Sequence, residues 1–260
     1  MRKSILSCIG FLFVTVSLVM AQDLSAYQKK EFKSESVLTL PYRILFPAEY
    51  DASKKYPLII LLHGGGERGT DNEKQLVYGA KLLLEKQKEF PAIVIAPQCP
   101  QDSYWASVKI DRSTNPLKLD FNYAYDITHA LDATVSLARE LMQTEAVDKD
   151  RVYIVGLSMG GMGTLEAVHR FPKLFAAAVA ICGGGDVQAY NKKVKRIPFW
   201  LFHGTDDKVI SVDHSRKMVQ RLKELKAEVK YTEYPGVNHG SWTNAFAEPR
   251  LLPWLFSKHK

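Results

Sequence analysis

Pro57-Leu-Ile-Ile-Leu-Leu62 is apolar without interruption, and it narrows the fold more than any other stretch of the chain. A strand with water on one side alternates apolar and polar residues. One that is apolar throughout must be covered on both faces, as parallel strands are. The runs at 92–96, 151–155, 175–181 and 199–202 have the same character, and 229–234 reads as a further strand. Between them, 75–88, 123–142, 159–170 and 212–225 carry apolar residues at helical spacing. Strands alternating with helices predict a mostly parallel sheet of about eight strands, doubly wound, with helices on both faces. Residues 37–40 and 42–46 read as an antiparallel pair that opens the sheet. A length of 260 residues with 46% hydrophobic composition suits a single α/β domain. In such sheets ligands bind beyond the carboxyl ends of the strands.

Directly behind the run at 151–155 stands Gly156-Leu157-Ser158-Met159-Gly160, and a helical pattern follows. A serine in a tight strand–turn–helix bend has strained backbone angles, and small flanking residues avoid the clashes of so sharp a turn. The bend lifts the hydroxyl clear of the sheet and sets it at a helix N-terminus, where anionic charge is favoured. A capping serine in a glycine-rich turn is the bland alternative. The strand–helix context favours a nucleophile.

A serine hydroxyl is a weak nucleophile and needs a base. His239 lies in a turn-rich loop directly after the final strand, where a base can reach the bend. His169 falls on the helix behind the serine, His214 starts another helix, His259 is at the tail, and His203 closes a strand, where it braces the next loop. The acid that orients the base is expected in His203-Gly-Thr-Asp-Asp207. Asp207 is preferred, Asp206 is read as a loop cap, and Asp186 one strand earlier stays open. The oxyanion formed on attack needs two donors. The Met159 amide is one, and the glycines of His63-Gly-Gly-Gly66 supply the other through Gly65 or Gly66.

HGGGERG, PQCP, GLSMGGMG, ICGGGD, HGTDD and NHGSW together resemble the α/β-hydrolase esterases of the dienelactone-hydrolase and polyhydroxybutyrate-depolymerase type. Within these the chain is similar to carbohydrate esterase family 1, the feruloyl and acetyl-xylan esterases, and some relatives are labelled predicted peptidases. The resemblance runs over 58–242. It implies an α/β-hydrolase fold, a serine ester hydrolase with the triad Ser158, Asp207 and His239, and neither metal nor cofactor. The connection 182–197 is too short for a helical cap domain, so an open site is expected. The long loop 98–122 carries Tyr104, Trp105 and Phe121. Trp105 and Trp242 are the aromatic candidates for contact with a small-molecule or polysaccharide-linked ester. A peptidase or lysophospholipase on the same triad, acyl transfer to an alcohol, and a non-catalytic binding protein of this fold are the competing readings.

Arg2 and Lys3 precede an apolar run ending in Val19-Met20-Ala21. A basic start, a short apolar core and a small residue form a signal peptide, and the run is shorter than a membrane span. Residues 1–21 are therefore expected to be removed, with an uncleaved anchor as the alternative, leaving 22–260 as a secreted or periplasmic catalytic domain without stable membrane association. Losing Arg2 and Lys3 lowers the net charge from +7 to +5. The excess is spread out, and its densest cluster, Lys192 to Arg196, reads as a solvated face rather than a nucleic-acid surface. Cys99 and Cys182 are too few to form a disulfide framework.

Overall fold

The structure is a computed structural model that describes residues 23–34 and 39–260. The expected signal peptide lies outside the described residues. Among the described residues ten strands form in chain order. They are β1 (Gln28–Lys33), β2 (Thr39–Leu45), β3 (Tyr56–Leu62), β4 (Ile93–Pro97), β5 (Val108–Asp111), β6 (Lys118–Phe121), β7 (Val147–Leu157), β8 (Ala177–Ile181), β9 (Phe199–Gly204) and β10 (Val229–Tyr234). Six α-helices accompany them among the same described residues. They are α1 (Ala80–Glu85), α2 (His129–Thr144), α3 (Met159–Arg170), α4 (Asp213–Glu224), α5 (Trp242–Phe246) and α6 (Leu251–Phe256). Eight strands make one sheet in the order β1-β2-β4-β3-β7-β8-β9-β10. β1 and β2 are antiparallel to their neighbours, and from β4 to β10 the sheet is parallel. This is the α/β-hydrolase arrangement.

The uninterrupted strand β3 sits inside the sheet, between β4 and β7, and its residues divide between two cores. Leu58, Ile60 and Leu62 join the cluster under α2, α3 and α4. Ile59 and Leu61 join the cluster under α1 and α6. Both faces are covered, so alternation along β3 separates one helical layer from the other and nothing is left for water.

Three local readings are corrected. The opening pair is not 37–40 with 42–46: Thr39–Leu45 is one strand, and its partner is the polar edge strand β1. The expected helix at 75–88 shrinks to α1, because Gly79 turns left-handed at φ 80° and starts the helix there. The helix expected at 123–142 begins at His129, capped by the Thr128 hydroxyl, which accepts the Leu131 amide. The residues before it are held elsewhere, since the Tyr123 amide donates to Asp186.

The long connection after β4 is not a plain loop. Its β5–β6 hairpin rests Phe121 and Leu119 against Ala106, Met162 and Ile210. The Leu117 amide also donates to the Val209 carbonyl, tying the hairpin to the loop after β9. Between β8 and β9, 182–197 holds one short 3-10 turn, Lys192–Val194, and no cap helices. Cys99 and Cys182 are buried free thiols.

Candidate active site

Ser158 follows the carboxyl end of β7 with φ 52° and ψ −116°. A non-glycine residue at positive φ is strained and persists only where its surroundings impose it. Here the main chain imposes it. The Ser158 amide donates to the Ile181 carbonyl of β8, and its carbonyl accepts the Met162 amide to begin α3. A Cβ on Gly156 would lie 2.1 Å from the Gly160 carbonyl oxygen, and one on Gly160 would lie 2.1 Å from that of Leu62. Strand and helix therefore touch backbone to backbone, and the serine has one place to go.

Ser158 Oγ lies 2.9 Å from His239 Nε2, and His239 Nδ1 lies 2.7 Å from Asp207 Oδ2. A carboxylate oxygen only accepts, so Nδ1 carries the proton and Nε2 faces the hydroxyl as an acceptor. Two loops are stitched into this register. The Asp206 amide donates to the Val237 carbonyl. Asn238 Oδ1 accepts the amides of both Lys208 and His239.

The three acid candidates separate cleanly. Asp207 is buried, and Oδ1 accepts the Val209 and Ile210 amides while Oδ2 accepts from both His239 and His203. Burial alone would raise this carboxyl, but hydrogen bonds from His203, His239 and the Ile210 amide hold it far below the usual carboxylate range. Asp206 is exposed and accepts from the Thr205 hydroxyl. Asp186 accepts the amides of Tyr123, Gln188 and Ala189, which makes it a loop anchor.

The second donor on Asp207 Oδ2 went unassigned in the sequence. His203, fully buried, points Nε2 at Asp207 Oδ2 (3.1 Å) and at the Ile210 carbonyl (3.0 Å), and its Nδ1 lies 2.7 Å from Ser215 Oγ. It braces the loop, as expected, and also fixes the acid. A histidine ending an otherwise apolar strand was the available signal.

The glycine loop after β3 comes up beside the serine. A Cβ on Gly64 would stand 3.7 Å from Ser158 Cβ. The Glu67 carboxylate folds back on the Gly64 amide, and burial raises its pKa against that hydrogen bond. Among the described residues, the amides of Gly65, Gly66 and Met159 donate to no protein acceptor. Gly65 and Gly66 face open space. Arg68 secures the loop by donating to the carbonyls of Gly65, Gln101 and Ser103.

His63 anchors the loop from below. The Cys99 amide donates to its Nε2 at 2.9 Å, so Nδ1 carries the proton and donates to the Gly64 carbonyl at 2.6 Å. Burial pushes this imidazole down to about 4, against 6.5 for an ordinary histidine. Between those values the unfolded chain holds more protons than the native one, so folding is favoured less as pH falls. The contribution, about 3 kcal/mol, is complete above pH 6.5 and is lost as pH drops toward 4. Urea unfolding at pH 7 and pH 4.5 should show a smaller acid loss in His63→Gln than in the parent. Parallel losses would overturn this role.

Trp242 starts α5, with its ring perpendicular to that of His239 at 5.3 Å and the Tyr78 ring 5.2 Å away. It is half-buried beside the reacting groups. Trp105 is a correction. It is fully buried, 5.3 Å from His63, and its Cβ packs where Gly163 has none. It supports the glycine loop rather than facing a substrate. Tyr104, under Arg68, and Phe121 are the half-buried aromatics of the long connection.

Among the described residues, one group of possible metal ligands stands together: Cys182, Asp207 and His239, with ligand atoms within 4.8 Å of one another. Asp207 and His239 are already engaged with each other, and burial drives the Cys182 thiol well above its ordinary value. The donor set suits proton transfer better than metal binding.

The profile of the Phospholipase/Carboxylesterase family matches residues 48–249. Carboxylesterase SOBER1 of Arabidopsis thaliana is 25% identical over 189 residues, covering 70% of this chain and 82% of its own. The crystal structure of a thermostable esterase superposes with a TM-score of 0.82 at 38% identity over 91% of the chain, which spans 64% of that structure's length. A ferulic acid esterase from Anaeromyces mucronatus shares the fold, with a TM-score of 0.60 at 17% identity over 84% of this chain and 87% of its own.

Proposed function

The chain belongs to the phospholipase/carboxylesterase family and is a carboxylic-ester hydrolase, and from that premise we propose that it forms an acyl-enzyme on Ser158 and cleaves feruloyl or acetyl esters of plant polysaccharide outside the cytoplasm. The observation that carries the mechanism is the unbroken chain from Ser158 Oγ through His239 to Asp207, at 2.9 and 2.7 Å.

His239 Nε2 takes the hydroxyl proton as Oγ adds to the ester carbonyl. The oxyanion is held by the amides of Met159 and Gly65, the free donors on either side of the serine. Gly66 is one residue farther along and is exposed. Collapse expels the alcohol, protonated by the histidine, and water repeats the sequence on the acyl-enzyme. Asp207 keeps the imidazole in the accepting tautomer and stabilises its charged form.

The substrate class rests on the surroundings. No helical cap lies between β8 and β9, and Trp242 offers an aromatic face beside His239, which suits bulky, solvent-exposed esters. The similarity to a ferulic acid esterase agrees with this. The extracellular setting rests on the signal peptide read in residues 1–21.

The test is hydrolysis of p-nitrophenyl acetate, followed by kcat/KM on feruloyl, acetyl, lysophospholipid and aminoacyl substrates. A fluorophosphonate should label the protein with one equivalent, and EDTA should leave activity unchanged. A clear preference for aminoacyl or lysophospholipid substrates would replace the polysaccharide-ester reading and leave the triad standing.

A further inference from the structure

A cavity of about 540 Å³ opens far from the triad. Its floor is apolar, made by Pro172, Phe175 and Ile197. Its rim carries the cationic side chains of Lys173, Lys192, Lys193, Lys195, Arg196 and Lys260. Phe175 lies just before β8 and Ile197 just before β9, so the cavity sits at the amino ends of the strands. Ser158 stands beyond the carboxyl end of β7, and the length of a five-residue strand, roughly 17 Å, separates the two levels of the sheet. The cavity is no part of the site described above.

Its charge is not neutralised by the protein. Some surface cations are tied to an acid, as Lys29 is to Glu73, Arg216 to Glu233, Arg250 to Glu248 and Lys258 to Glu228, while others stand singly; here six crowd one opening. None of the six rim cations forms an ion pair among the described residues. Lys260 Nζ reaches the Lys173 carbonyl, and the nearby Asp148 is already paired with Arg151. Like charges crowded without counter-charge repel, and an anion among them relieves the repulsion. The volume falls in the range that encloses a small organic ligand. The apolar floor and the lysine stems supply contact for a ring or short chain, which inorganic phosphate would not use.

We infer that this cavity binds a small amphiphilic anion, in which one carboxylate, sulfonate or phosphate group carries an aromatic or short aliphatic body. The six cations share one apolar floor, which fits a compact ligand with a ring or short chain to bury better than a polyanionic chain.

Anilinonaphthalene sulfonate serves as the probe, on protein already labelled at Ser158 by a fluorophosphonate so that the triad contributes nothing. Fluorescence titration should show one saturable site that weakens as salt rises. The variant Lys193→Glu/Lys195→Glu/Arg196→Glu changes exposed side chains and should bind at least about tenfold more weakly. Lys192→Gln/Lys193→Gln should fall between it and the parent. Unlabelled variants should hydrolyse p-nitrophenyl acetate at the parental rate, which also shows that they are folded. No saturable binding, or equal affinity in parent and both variants, overturns the proposal. So does charge-dependent binding to phosphatidylglycerol vesicles without binding of the dye, which would make the patch a lipid-surface contact.

Discussion

Ser158→Ala should lose on the order of 10⁴ or more in kcat on p-nitrophenyl acetate while unfolding at nearly the parental urea concentration. The two halves of this result have separate causes. Activity needs Oγ, which lies 2.9 Å from His239 Nε2 and is the atom that receives the acyl group. The strained backbone at φ 52° is held by the Ile181 carbonyl and the start of α3, and alanine keeps the same Cβ. Because the two side chains act as one unit, adding His239→Ala should cost little more. A single variant within tenfold of the parent, or one that still takes up the fluorophosphonate, would remove Ser158 as nucleophile.

The neighbouring acids should respond very differently to the same substitution. In Asp207→Asn, the oxygen that accepts the Val209 and Ile210 amides has every reason to stay in place. The new NH2 group then occupies the Oδ2 position, facing donors on both His203 and His239. To avoid donor against donor, His239 must move its proton from Nδ1 to Nε2. It then offers a proton to Ser158 where it should accept one. The expected loss is ~10⁴ in kcat, the size known for this change in another serine hydrolase. Asp206→Asn alters an exposed side chain bonded to Thr205 and should cost less than about tenfold. Similar effects of the two substitutions would mean that Asp207 is not the acid.

Much of this was legible because motif and context agreed. Ser158 could be placed from five residues only because a buried strand precedes them and a helix follows. His239 could be placed because it comes directly after the last strand. Asp207 could be preferred over Asp206 and Asp186 but not separated from them. What distinguishes them is which carboxylate the two stitched loops turn inward, and that depends on Asn238, Val237 and the amides of Val209 and Ile210.

Trp105 misled for a related reason. An aromatic in a long polar loop gives no sign that a helix glycine has left room for it. Strand β1, with the sequence QKKEFK, is an edge strand wet on most of its surface and lacks the apolar signature on which the reading relied. The β5–β6 hairpin has strands of four residues, too short for alternation to stand out from a loop.

The contact of Gly156 with Gly160, and of Gly160 with the Leu62 carbonyl, bears on how such a protein can change over evolutionary time. The coordinates of the nucleophile are written in main chain, so hardly any side-chain replacement nearby can shift it a little. Each is either harmless or ruinous. The aromatic and hairpin segments between β4 and α2 meet the elbow helix through side chains such as Ala106, Leu119 and Phe121, packed on Met162, and these can be exchanged in small steps. A descendant can therefore explore new acyl or alcohol groups by redrafting those segments while inheriting its reaction intact. Laboratory libraries aimed at new substrates should be richest in active members when they randomise residues 98–122 and leave 156–163 untouched.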